Sequence, residues 1–183
     1  RKIVQRVVST NSTTTTSSIP PVLQVRGLEC MAHCWDNCSV DDVPTLNEDT
    51  KMCSDAALRG PWSVTVAALK AFQRVILKLP NTFFGELGQS EATANFEGVL
   101  AALSALDVAL ASQKYSKVRV AAISAACAFV EASKAATQKL SITSFVADKT
   151  AELERVVRSL KKDGVPAVAA AATRAVEGLE KQE

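Results

Sequence analysis

From Pro61 onward, apolar residues recur every three or four positions, a spacing that predicts a succession of helices. Gly60-Pro61 marks the first start, because proline is well accommodated in the opening turn of a helix. Trp62, Val66, Leu69, Phe72, Ile76 and Leu79 then form one face until Pro80 ends the run. A turn-rich stretch, 81–89, contains Gly85 and Gly88. Ser90 is suited to cap a second helix, with Phe96, Val99, Leu100, Leu103, Leu106 and Leu110 on its apolar stripe. A break at 114–116 leads into a third helix that runs to about Lys139. Its apolar residues lie nearly all round, from Val118 and Ile123 to Cys127, Phe129 and Val130, so it should be the most buried helix.

Thr143 or Ser144 can cap a fourth helix, with Val146, Leu153, Val156, Val157 and Leu160 inward and Glu154 spaced to pair with Arg158. Gly164 stops it, and Pro166 opens a short alanine-rich fifth helix with Val168, Ala172, Val176 and Leu179 on one face. Connections this short imply antiparallel neighbours. The expectation over residues 61–183 is therefore all-α: an antiparallel up-and-down bundle of four to five helices.

Two segments precede it. Residues 1–29 read as an extended arm, with a Ser/Thr tract from Ser9 to Ser18 followed by Pro20-Pro21. Such a tract buries too little apolar surface to offset its ordering entropy, so it is either a floppy tail or is ordered by a partner. Residues 30–60 form a cysteine-rich acidic segment with turn formers at Asp41-Asp42, Pro44 and Asn47, and little helical periodicity beyond its start.

Composition adds limits. Of 183 residues, 48% are hydrophobic and 5% aromatic, so the core must be built from Ala, Val and Leu, which favours closely approaching helices. The net charge of +2 is uneven, at +3 over residues 1–29, −4 over 30–60 and +3 over the rest. No basic run interleaved with aromatics is present, which argues against nucleic acid. The longest uncharged stretch of the apolar half is 11 residues, Val120 to Val130, whereas a membrane-spanning helix needs about 20. A soluble or at most peripheral chain is expected. It begins at Arg1 rather than Met, as a processed product would.

Four of the five cysteines, Cys30, Cys34, Cys38 and Cys53, fall within 24 residues, and the single histidine, His33, lies among them. The leading expectation is one or two disulfides closing this region in an oxidising compartment, with three pairings open. The metal alternative uses the same cysteines and His33 but shows neither a C-x-x-C pair nor a ferredoxin-type run; free thiols are the third alternative. Cys127, amid small apolar residues, reads as a buried small hydrophobe.

Catalytic signals are few. His33 has no Ser or Asp at a motif spacing, and neither a nucleophile elbow nor a phosphate-cradling glycine loop occurs. Asp107, inside an otherwise apolar helix face, reads as a rim residue facing solvent, the alternative being a pair with a lysine or arginine of another helix. Asn11-Ser12-Thr13 and Asn37-Cys38-Ser39 fit the glycosylation pattern. Trp62 reads as core, whereas Trp35, in a polar setting, should face a partner or pack on the cysteine staple.

Residues Trp62 to Ala136 carry a Trp-led helix ending in Leu79-Pro80, a helix with Leu106-Asp107 and Ala109, and a Lys114-Tyr115-Ser116 break into another helix. This stretch resembles the PsbQ family of extrinsic photosystem II subunits. The resemblance implies a four-helix bundle that braces the lumenal face of the thylakoid without catalysing a reaction. The cysteine segment and the helices after Lys139 depart from that pattern.

The function expected is that of a non-catalytic accessory subunit of a large organellar membrane-protein assembly, possessing no cofactor. It would dock on protein subunits through Arg1, Lys2, Arg6, Pro20, Pro21 and Trp35. Its compartment would be the thylakoid lumen of the chloroplast or the mitochondrial intermembrane space. The alternative is a secreted, disulfide-stapled helical protein holding an apolar small molecule. An enzyme centred on His33 and the cysteines is the third reading.

Overall fold

Proline at 20 and 21 starts a helix instead of extending the arm. In the computed structural model, which describes residues 19–37, 46–78, 93–137 and 144–181, α1 spans Pro21–Asp36. The Pro20 carbonyl accepts hydrogen bonds from the backbone N–H groups of Leu23 (2.9 Å) and Gln24 (3.2 Å), and Pro21 sits where a missing N–H costs nothing. The Gln24 amide folds back to donate to the Ile19 carbonyl at 3.0 Å. Leu28, Met31, Ala32 and Trp35 recur at helical spacing and are buried. The expectation of an extended segment is thus corrected for residues 21–29. Residues 1–18, with the Ser/Thr tract, lie outside the described residues.

The second correction concerns the cysteine segment, half of which is helix α2, Leu46–Arg59. Its buried positions include Asp49, Thr50 and Ser54 alongside Met52, Cys53 and Ala56. That mixture conceals the helical period in the sequence.

From Pro61 the five expected helices are present: α3 (Trp62–Lys78), α4 (Thr93–Leu110), α5 (Ser116–Thr137), α6 (Ser144–Ser159) and α7 (Pro166–Glu180), with a 3-10 turn at Leu160–Lys162. Among the described residues the fold is all-helical, with seven α-helices and no strand. The Ser90 cap and the 81–89 loop lie outside the described residues. Helix α5 is the most enclosed, as its composition predicts: Ala122, Ala125, Ala126, Phe129 and Val130 have no exposed surface.

The helices form a bundle of two layers rather than a ring of sequential neighbours. The odd-numbered helices pack in the order α1, α3, α5, α7, while α2 packs on α3 and α4, and α6 packs on α5. Alternate helices run parallel. Val25 of α1 lies beside Ser63 and Val66 of α3, and Asp36 at the far end of α1 is bonded to Arg74 and Lys78. Likewise Trp62 at the start of α3 stacks on Tyr115 at the start of α5. Consecutive helices α5 and α6 run antiparallel, with Ser133 bonded to Thr150 and Arg119 to Asp163. This is the packing logic of stacked helix pairs.

Gly60 makes the turn between α2 and α3 tight. A Cβ there would lie 2.6 Å from the Ala56 carbonyl oxygen and 2.7 Å from the Val64 Cγ1. Thr65, in the first turn of α3, donates to the Ala57 carbonyl at 3.1 Å and ties the two helices together.

Candidate functional site

The cysteines are not brought together. Cys30 and Cys34 lie on the exposed face of α1, whereas Cys53 points into the core from α2 and is 1% exposed. All three thiols are free, as is Cys127, and there is no disulfide among the described residues. Cys38 lies outside them. The physical reason is the helix itself: a four-residue spacing puts Cys30 and Cys34 on one solvent-facing stripe, while Cys53 is drawn inward by its own helix's packing. Burial pushes the Cys53 thiol well above its ordinary range, and the Asp49 carboxylate beside it adds to the effect. Cys127 is likewise buried, and its thiol is pushed up to about 12 by desolvation, with Glu131 and Glu154 contributing.

His33 is exposed on the same face as Cys30 and Cys34. Its backbone carbonyl accepts a hydrogen bond from the Asn37 amide at 2.9 Å. Among the described residues no group of three or more His, Cys, Asp or Glu side chains is arranged to hold a metal ion.

The expected partner-binding residues divide three ways. Arg1, Lys2 and Arg6 lie outside the described residues. Pro20 and Pro21 start α1. Trp35 is corrected from surface to core: it is 1% exposed, and its indole N–H donates to the Asp49 carboxylate at 2.9 Å. The polar neighbours that made it look solvent-facing supply this bond.

Other polar groups withdrawn from water are also used to join elements. Arg119 at the start of α5 meets Asp163 before α7 at 2.5 Å, with both side chains under 10% exposed. The other Asp163 oxygen accepts from the Val165 N–H at 2.8 Å. The Thr150 and Ser133 hydroxyls bond at 3.0 Å between α6 and α5. On the surface, Arg158 holds both Glu154 and Glu180, joining α6 to α7. These arrangements brace the stack, and none directs a nucleophile or a general base into a cleft.

Two open grooves mark the face of the odd-numbered layer. One, of about 310 Å³, runs between α1 and α3 with Val25, Glu29, Val66, Lys70 and Arg74 on its walls. The other, of about 330 Å³, crosses α3, α5 and α7 with Leu77, Val120, Cys127, Glu131 and Arg174. Both are shallow, with mixed apolar and charged walls.

Residues that the sequence pattern misassigned stand at one end of this layer. Trp62, in phase with the core residues Leu69 and Phe72, is nevertheless 40% exposed. Its ring stacks on Tyr115 with centroids 6.1 Å apart at 28°. The Lys117 ammonium lies 5.3 Å from the Trp62 ring centroid, and that of Lys114 lies 5.3 Å from the Tyr115 centroid. The sequence signal for this cluster is the helix start: a residue at the first helical position has no preceding turn to cover it.

Asp107 is exposed, as expected of a rim residue. Partial burial nonetheless raises its carboxyl above the usual range, with Lys149 opposing the shift. No helix among the described residues is long and apolar enough to cross a membrane. Compared with protein-family models, curated proteins and solved structures, the chain matches none.

Proposed function

We propose that the chain is a non-catalytic accessory subunit of a larger organellar membrane-protein assembly, for which it supplies a rigid helical body. The observation that carries this reading is the use of its buried polar groups. Trp35–Asp49, Arg119–Asp163 and Ser133–Thr150 each tie one element of the stack to another. Two shallow grooves on the odd-numbered layer offer mixed apolar and charged walls to a partner.

The resemblance of Trp62–Ala136 to extrinsic photosystem II subunits favours a lumenal photosynthetic setting for that assembly. Docking is assigned to residues 1–18 and the segment that joins α1 to α2. The uneven charge supports this: Arg1, Lys2 and Arg6 precede an acidic stretch that includes Asp41 and Asp42. Oppositely charged patches in sequence give a partner two complementary surfaces to align against.

The test is deletion of residues 1–18, which leaves α1 and its Pro20 start intact. The shortened chain should keep its helical circular dichroism and its unfolding midpoint while losing co-migration with the assembly. Retained co-migration would overturn docking through that segment.

A further inference from the structure

Parallel packing of alternate helices has a consequence for the surface. The starts of α1, α3 and α5, the ends of α2 and α4, and the turn before α7 all fall at one end of the stack. Five of the exposed large apolar residues are gathered there: Val22 and Leu23 at the start of α1, Leu58 at the end of α2, Trp62, and Tyr115. Val22 is 70% exposed and Leu23 54%.

The charge at this end has one dominant sign. Lys114, Lys117, Lys161 and Lys162 are exposed there. Of the carboxylates, Asp55 is held by Arg59 and Asp163 by Arg119, leaving Asp107 one turn inward. The opposite end is mixed: Asp36 is held by Arg74, and Glu48 and Asp148 are exposed there together with Lys78 and Lys181. Aromatic, aliphatic and cationic groups thus stand together at the first end, with one unpaired carboxylate among the described residues, Asp107, near them.

We infer that this end is a peripheral membrane contact, seated on a bilayer surface that bears anionic headgroups. The combination fits that surface better than it fits an acidic protein segment. Trp and Tyr have an apolar body with a polar tip and settle at headgroup depth. Exposed Val22 and Leu23 gain from the acyl boundary, which a carboxylate-rich peptide would not offer. The Lys114 and Lys117 ammonium groups lie beside the rings, at the depth where lipid phosphate and carboxylate groups would meet them. This contact is independent of the accessory-subunit reading, because it belongs to the purified chain alone.

The experiment is co-sedimentation of the full chain with vesicles of phosphatidylcholine, with and without phosphatidylserine, at low and high salt. Tryptophan fluorescence is read in parallel against brominated lipid. Trp35 is buried, so a blue shift and quenching on binding report Trp62. Salt-sensitive binding to the anionic vesicles is expected, with quenching of the exposed tryptophan. Replacing Lys114 and Lys117 by Gln should weaken it by about tenfold or more. Trp62→Ala should abolish the quenching without altering the helical signal.

Absence of sedimentation with anionic vesicles would overturn the inference. So would binding without quenching, which would place the contact elsewhere on the molecule. Equal binding of the wild-type chain to soluble poly-glutamate, competing with vesicles for the same lysines, would reassign this end to an acidic protein.

Discussion

The indole N–H of Trp35 donates to the carboxylate of Asp49 at 2.9 Å, inside the core and across the connection from α1 to α2. Both residues are at most 1% exposed, so the bond fixes the relative position of two helices that otherwise make little direct contact. Replacing Trp35 by Phe keeps an aromatic ring but removes the donor from a buried carboxylate, and should cost about 1–3 kcal/mol. Urea unfolding followed by far-ultraviolet circular dichroism measures it. An unchanged midpoint would show that the bond contributes nothing.

Arg119 and Asp163 provide a second test. Breaking a buried pair from one side leaves an uncompensated charge and typically costs about 3–5 kcal/mol. Asp163→Ala should approach that loss, because it also removes the acceptor for the Val165 N–H. Asp163→Asn retains an oxygen for that N–H and should be less damaging. Equal destabilisation by both variants would show that the turn bond is not needed before α7.

Two glycines should respond in opposite directions to alanine. At Gly60 the new Cβ would collide with the Ala56 carbonyl oxygen and Val64, and relief requires backbone movement between α2 and α3. A loss of about 1–3 kcal/mol is expected. Gly178, within α7, has nothing within 4 Å of such an atom, so Gly178→Ala should stabilise by about 0.5–1 kcal/mol through helix propensity. Thermal unfolding of the two variants distinguishes them.

Thiol reactivity should follow burial. Cys30 and Cys34 should alkylate rapidly in the folded protein, while Cys53 and Cys127 should react only on unfolding, since burial raises both thiols and shields them. Peptide mapping after a brief pulse of iodoacetamide reads each site. Rapid labelling of Cys53 would mean that α2 opens readily from the core.

Two carboxylates predict opposite pH behaviour. Glu154 is held below the usual range, first by its hydrogen bond from Arg158 and further by Lys134. A depressed folded value contributes stability above the unfolded pKa, and that contribution is lost as pH falls through the folded one. Glu154→Gln should therefore destabilise at neutral pH and converge with wild type in acid. Asp107 is raised by burial, so its carboxylate opposes folding once ionised. Asp107→Asn should stabilise at neutral pH, and that gain should vanish at low pH. Unfolding midpoints across the acid range decide both signs.

The helices after Pro61 are legible because apolar residues recur at helical spacing on one face or, in α5, lie nearly all round. The proline at 166 and the Glu154–Arg158 pair were equally direct signals. Helices α1 and α2 were hidden for different reasons. Pro20-Pro21 reads as extended chain when it in fact opens a helix, and the inward face of α2 carries Asp49, Thr50 and Ser54. Trp35 and Trp62 exchanged roles. A polar sequence neighbourhood supplied a buried partner for one, and the other, although in phase with the core, lies at an uncovered helix start. Parallel packing of alternate helices was not readable, because period identifies a buried face but not which helix covers it.

The most decisive experiment on function is the mass of the particle that contains this chain in a gently prepared extract of its own cells, by native separation with light scattering. A particle several times heavier than the chain's own 19.4 kDa, containing other protein subunits, is the expected result. Migration at the mass of the single chain, in extracts where known multisubunit complexes stay intact, would contradict an accessory subunit.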